Sequence, residues 1–291
     1  MALPLPTSLS PSKVSSFKDC ALAFRFSAID KLPEEPSLPA VKGTTVHRAL
    51  ERLMQSPADE RTPERARTCL DEAMAEAATD EEFLALGLDD AGVEAFAADA
   101  ARMVERYFTL EDPRRVRPTG LELMLETELG SLTVRGIIDR LELDEDGELV
   151  VTDYKTGRAP SPAQEQARLG GVHFYALLCE RVLGRRPTRV QLIYLGDSPQ
   201  VITTTPSERS VAALERKLVA LWSAVERACE REDFRPRRSA LCNWCSFQAW
   251  CPAFGGDPAD APSAVAGADP AARAVPAGAP ASVTAAPTPD A

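Results

Sequence analysis

The 291-residue chain has no G-x-x-x-x-G-K-[ST] phosphate loop, which excludes a nucleotide-driven helicase within it. It has no apolar run approaching the roughly 20 residues that a membrane-spanning helix needs. Its start, MALPLPTSLS, carries neither the charged region nor the long apolar stretch of a secretory leader. The expectation is a cytoplasmic protein, in a compartment reducing enough that seven cysteines do not imply a disulfide framework. Positive charge is in deficit: 33 Lys and Arg face 44 Asp and Glu, for a net charge of −11. Such a chain does not coat DNA nonspecifically, so nucleic-acid contacts must be local, transient and salt-dependent. The arginine clusters available for them are Arg114, Arg115 and Arg117; Arg181, Arg185, Arg186 and Arg189; and Arg235, Arg237 and Arg238. Internal repeats are absent. Residues 255–291, rich in Ala, Pro, Gly and Asp, have no apolar periodicity and are expected to be a disordered tail on a single domain spanning 1–254.

What is present concentrates in GIIDRLELDEDGELVVTDYKTG. A three-residue loop Glu145-Asp146-Gly147, with Gly147 taking the left-handed position, sets Asp144 opposite Glu148 and Asp139 opposite Asp153. Opposed side chains share one face of a hairpin with Cβ atoms about 5 Å apart, and alternation adds Lys155 to that face beside Ile137. A two-residue Asp146-Gly147 turn would instead oppose Asp139 to Tyr154 and send the two carboxylates to opposite faces. In the first register the grouping suits a hard divalent cation, Mg2+ or Mn2+, which takes carboxylate oxygens and keeps several waters. Such a cation activates water and stabilises charge on a phosphoryl oxygen, while the lysine holds or deprotonates the attacking water. Phosphodiester hydrolysis is the reaction this grouping serves.

The runs IIDR and VVTDYKTG resemble the core of the PD-(D/E)XK nuclease superfamily, in particular its RecB-like exonuclease branch. The resemblance implies that Asp139 and Asp153 hold the metal and that Lys155 serves the water. GTTVHRALERL resembles the upstream helix that carries a metal-binding histidine in that branch, which implies His47 as a further ligand. On its own pattern this segment is a helix from about Thr45 to Met54, with Thr44 or Thr45 as cap after a break at Gly43 and with His47 in the first turn. Tyr175 in GVHFYALL matches a family tyrosine implied in substrate contact. The glutamine that usually precedes it by four residues is replaced by Gly171, and Gln164 and Gln166 lie further upstream. Glu122 or Glu126 is available as an additional acid. His173 is expected to pack or to face solvent.

Cys242-x2-Cys245-x5-Cys251 lies near the end of the expected domain, and Cys20 lies far upstream. Clustered thiols outside the secretory route bind metal more often than they pair, but this spacing matches neither a ferredoxin nor a two-plus-two zinc ribbon. The arrangement resembles the split set of iron-sulfur nucleases of the AddB and CRISPR-adaptation type. That implies a [4Fe-4S] cluster on Cys20, Cys242, Cys245 and Cys251 pinning the chain ends together, with zinc in the same thiolates as the alternative. Cys69, Cys179 and Cys229, in apolar helical runs, are expected to be core thiols.

The remaining pattern is mixed α/β. Helices are expected near 63–78 and 91–108, strands in ELMLETEL, LTVRGIIDRLEL and ELVVTDYKT, a helix over 162–183, strands in RVQLIYLGD and QVITTTP, and a long helix from about Ser207 to Glu230. The resemblance implies a restriction-endonuclease-like central mixed sheet flanked by helices, with a C-terminal iron-sulfur segment. The function it implies is a metal-dependent DNA exonuclease acting at ends or single strands in repair or recombination, free-standing or beside a helicase subunit. The alternatives are a non-catalytic DNA-binding scaffold and a nuclease of CRISPR adaptation.

Overall fold

The computed structural model describes residues 2–160, 171–262 and 283–284. Of these, residues 2–35, 126–136 and 212–262 belong to one compact unit, and 36–125, 137–160, 171–211 and 283–284 to the other. Five strands run β1 (Pro118–Leu129), β2 (Leu132–Leu143), β3 (Leu149–Lys155), β4 (Arg189–Tyr194) and β5 (Gln200–Thr204). Their order in the sheet is β5-β4-β3-β2-β1, and a two-residue strand β6, Val283–Thr284, lies beside β1. The β2–β3 and β4–β5 pairs are antiparallel, whereas β3–β4 is parallel. The sheet is therefore mixed, as the sequence pattern implied.

In the second unit, α3 (Leu38–Gln55) packs against α4 (Pro63–Ala77), the short α5 (Glu81–Ala85) and α6 (Asp90–Leu110). Their apolar faces meet around Val46, Leu50, Leu53, Leu70, Met103 and Tyr107, and close on Tyr154, Ile193 and Leu195 of the sheet region. Cys69 is one of these core residues. The helix α7 (Val172–Leu183) follows β3 and buries Phe174, Leu177, Leu178 and Cys179. Burial pushes the Cys179 thiol up to about 12, and Cys229 is likewise buried, so the three thiols expected in the core are there. The first unit contains α1 (Pro11–Asp19), α2 (Ala21–Phe24) and α8 (Glu208–Arg231), the last from residue 212 onward, together with the cysteine segment.

One boundary differs from the sequence reading. α3 begins at Leu38, seven residues before Thr45, and its cap is Ser37, whose hydroxyl accepts from the Ala40 N–H at 3.4 Å. Pro39 occupies the first turn, where its missing N–H leaves nothing unpaired. Thr44 and Thr45 sit inside the helix and donate back to Ala40 O and Val41 O, so they cap nothing. Gly43 does not break the helix; a Cβ there would stand 3.2 Å from Thr156 Oγ1, so the glycine lets α3 lie close to the end of β3. Residues 161–170, with Gln164 and Gln166 and the first part of the expected 162–183 helix, lie outside the described residues. So do 263–282 and 285–291 of the expected tail. Nearer its start, Pro258–Asp260 forms a 3-10 turn.

Candidate active site

The β2–β3 hairpin follows the three-residue loop. Gly147 takes φ +74°, its N–H donates to Asp144 O at 3.0 Å, and the Asp144 N–H donates to Glu148 O at 2.9 Å. The Asp144 carboxylate accepts from the Asp146 and Glu148 N–H groups, holding the turn closed. The ladder pairs Leu143 with Leu149 and Arg140 with Thr152; one step further in the same register sets Asp139 opposite Asp153. Past Arg140 and Thr152 a side chain joins the strands: Asp139 Oδ2 accepts from the Tyr154 N–H at 2.7 Å.

Tyr154 O is then available to His47, whose Nε2 lies 3.0 Å away. A carbonyl only accepts, so Nε2 carries a proton, and in the neutral ring the lone pair belongs to Nδ1, 3.6 Å from Asp139 Oδ2. This is the arrangement in which a backbone carbonyl orients a metal-ligating histidine. With α3 starting at Leu38, His47 lies well inside the helix and not in its first turn.

Of the two glutamates left open by the sequence, Glu122 reaches the site. Donor atoms of His47, Glu122 and Asp139 all lie within 4.8 Å of one another, the one such group of three or more found among the described residues. Glu122 has φ +44°, a left-handed conformation that interrupts the alternation on which its equivalence with Glu126 rested. No pattern in β1 announces that irregularity.

Asp153 is 2% exposed. Its Oδ1 accepts from the Tyr175 hydroxyl at 2.9 Å, and its Oδ2 is ion-paired with Lys155 Nζ while accepting no other hydrogen bond. Tyr175 thus touches an acid of the site. Gly171 caps α7 one turn earlier and offers no side chain. His173 is half-buried, with Nδ1 3.4 Å from Ser210 Oγ.

The acids repel one another out of water. Burial first, then the charges of Asp139, Glu51 and Asp153, push Glu122 up to about 8. Burial and Asp153 push Asp139 up to about 6, against His47, Lys155 and the Tyr154 N–H. Burial alone would lower Lys155, but Asp153 and Asp139 outweigh it and raise it, so this amine stays an ammonium. An imidazole nitrogen and the two crowded carboxylates of Glu122 and Asp139 fit a hard divalent cation, which would relieve the repulsion; Asp153 falls outside that close group and turns Oδ2 to Lys155.

That crowding predicts a pH dependence. Both acids have folded values above their ordinary ones, so between about pH 4 and pH 8 the folded state holds protons that the unfolded chain has released. The stability they contribute is complete at the acid end and lost as pH rises through about 6 and about 8. Glu122→Gln, which cannot ionise, is expected to flatten the decline in Tm of cation-free protein from pH 5 to 8 by about 5 °C or more. Mn2+ should raise the wild-type Tm more at pH 8 than at pH 5. Parallel wild-type and variant profiles would show that Glu122 is not crowded.

The other four cysteines, Cys20, Cys242, Cys245 and Cys251, share one cavity of about 220 Å³ in the first unit. Burial raises the Cys245 thiol, as do the three other cysteines, with a backbone hydrogen bond at Phe247 opposing. No three of the four sulfurs lie within 4.8 Å of one another. Of the arginine clusters, Arg114 pairs with Asp112, Arg115 with Glu145, Arg185 with Glu148, Arg186 with Glu180 and Arg235 with Asp233.

Fold and site define an α/β protein with an acid–histidine–lysine centre suited to a divalent cation. The family model of the PD-(D/E)XK nuclease superfamily matches residues 8–252, and the chain belongs to that superfamily. Among solved structures, a "Putative exonuclease" from Eubacterium rectale aligns over 82% of this chain and 87% of its own, at 11% identity and TM-score 0.51, a likeness of fold. The crystal structure of SSO0001 aligns over 86% of this chain and 88% of its own, at 14% identity and TM-score 0.39. No curated protein matches. Among the described residues no helix is long and apolar enough to cross a membrane.

Proposed function

We propose that this protein is a Mg2+- or Mn2+-dependent deoxyribonuclease of the RecB-like branch, an exonuclease acting on DNA ends or single strands in repair or recombination. The observation that carries this reading is the convergence of Asp139, Asp153 and Lys155 on one hairpin face, with His47 and Glu122 closing on Asp139. His47 Nδ1, Glu122, Asp139 and Asp153 would hold the cation. When bound it supplies positive charge for the phosphoryl oxygen and a more acidic water. Lys155 Nζ, kept protonated, donates hydrogen bonds to the attacking water and to the developing charge on phosphorus-bound oxygen, rather than taking the water's proton. Tyr175 holds Asp153 in place through Oδ1. Labelled single-stranded and duplex DNA with Mn2+ or Mg2+ tests the reading: cleavage that needs the cation and disappears with Lys155→Ala supports it. Gly171 favours one other reading, a scaffold subunit that binds DNA without cutting; wild-type binding with no cleavage under any divalent cation would establish that instead.

The four cysteines of the first unit are proposed to hold a [4Fe-4S] cluster. Zinc with four thiolates at about 2.3 Å needs sulfurs about 3.8 Å apart. Four thiols around one cavity support a shared thiolate-bound centre. Anaerobically purified protein is expected to contain about four irons with matching acid-labile sulfide, and Cys20→Ser to lose most of that iron. Stoichiometric zinc without iron would overturn the assignment.

A further inference from the structure

The segment around Cys242 exposes apolar side chains on the rim of the cavity that the four cysteines line. Of the three tryptophans, Trp222 is buried and Trp250 packs edge-on against Phe26 at 6.2 Å, but Trp244 is 79% exposed. Leu241, 57% exposed, and Phe254, 46% exposed, belong to the same cavity rim. The indole is presented on a fixed backbone. Ser239 caps the 3-10 turn Ala240–Trp244, the Cys245 N–H returns to Cys242 O at 3.2 Å, and the Gln248 amide also donates to Cys242 O.

The charge around it is unlike that of the rest of the chain. From Phe234 to Gly256 there are three arginines and no carboxylate, in a protein of net charge −11. Arg235 is neutralised by Asp233, as most of the other clustered arginines are by carboxylates. Arg237 and Arg238 are held differently: Arg237 donates to Lys18 O at 3.1 Å, and Arg238 donates to Ala253 O and lies over the Phe254 ring at 4.9 Å. Main-chain carbonyls and a ring face fix a guanidinium without cancelling its charge, and most of its five donors remain for an anion. Asp19 and Glu34 on the cavity wall are the opposing charges. A flat exposed indole flanked by two orientated, uncancelled guanidinium groups matches a single strand, whose bases offer ring faces and whose phosphates recur between them.

We propose that this surface binds single-stranded DNA, with Trp244 stacking on a base and Arg237 and Arg238 taking the adjacent phosphates. The assignment of the ligand rests on the nuclease reading above. The surface is sequence-tolerant, since every base has a ring face, and its affinity falls with salt.

The test is fluorescence anisotropy with labelled dT20 on the full-length protein, without added divalent cation so that nothing is cut. Trp244→Ala is expected to weaken binding about 10-fold or more, with Trp244→Phe restoring most of it. Arg237→Gln with Arg238→Gln is expected to reduce the slope of log affinity against log salt by about one unit. Iron and zinc content should equal wild type in each variant, and Mn2+-dependent hydrolysis of a p-nitrophenyl ester of thymidine monophosphate should be unchanged by Trp244→Ala. Equal dT20 affinity for wild type and Trp244→Ala overturns the proposal, as does failure of wild type to bind dT20. Loss of self-association in Trp244→Ala with dT20 binding intact assigns the patch to a second copy and overturns it too. Failure of wild type to hydrolyse the small diester while Trp244-dependent dT20 binding persists removes the nuclease reading and leaves this surface standing.

Discussion

Asp153→Asn is expected to fold normally and to lose cation-dependent cleavage by about 10³-fold or more, measured as initial rate on labelled single-stranded DNA. The two halves of that result have separate causes. Asparagine keeps the shape and an oxygen for the Tyr175 hydroxyl, and it removes a charge that is 2% exposed and crowded by Asp139, so stability should hold or rise slightly. Activity falls because Asp153 is proposed as a charged ligand of the cation and Lys155 loses the carboxylate that fixes its Nζ. Lys155→Ala should cost about 10²-fold or more, with cation affinity largely kept, because it removes a donor and not a ligand. A cut rate within 10-fold of wild type in Asp153→Asn would remove the assignment of this face as the active site.

Arg140→Met should lower Tm by about 10 °C, read by thermal denaturation, through a loss of about 3–5 kcal/mol. Arg140 is fully buried, and it bonds both oxygens of Glu111 at 2.7 and 2.9 Å, the Tyr154 hydroxyl at 2.7 Å and Thr152 Oγ1 at 3.0 Å, with Glu142 at 3.0 Å on its Nε side. Methionine fills much of the volume but leaves two largely buried glutamates facing each other with only Arg189 acting on Glu142. Burial already raises Glu142 even with Arg140 beside it. Lysine should not rescue, since one ammonium cannot replace a planar fork that serves Glu111, Glu142, Tyr154 and Thr152 together. The effect reaches the site as well: Arg140 and Thr152 alternate with Asp139 and Asp153 on the same two strands, so the network on one face locks the register that aligns the acids on the other. An unchanged Tm would show that the hairpin is held by its apolar neighbours alone.

How much of this was legible in the residues depends on how local each feature is. The turn at Gly147 and the opposition of Asp139 to Asp153 follow from loop length and period-two alternation, and the structure adopts that register. The ends of α6 and α8, Asp90–Leu110 and Glu208–Arg231, lie within a few residues of those expected from apolar periodicity. The start of α3 differs from the sequence pattern because Gly43 reads as a helix breaker when its neighbours in space are unknown. The cap and proline signals at Ser37 and Pro39 were available in the sequence, and only packing shows that a glycine is needed against Thr156.

Other features have no local signature. Glu122 reaches the site through a left-handed backbone that its residue type does not advertise, and the tautomer of His47 is set by a carbonyl 107 residues away in the chain. The ladder from Asp139 through Tyr154 to His47 joins three elements, and the Arg140 network joins α6 to two strands. Likewise, Arg237 and Arg238 look like any other arginine run until their partners are seen to be carbonyls and a ring rather than carboxylates.

The sequence by itself determined which residue types could do the chemistry and, within one hairpin, that two acids and a lysine share a face, because alternation and turn length act over a few bonds. Tertiary structure decided which glutamate joins them, which imidazole nitrogen is free, what keeps the strands in register and which arginines retain their charge. Those outcomes depend on contacts between segments distant in the chain, where burial and partner identity set the protonation and orientation of each group.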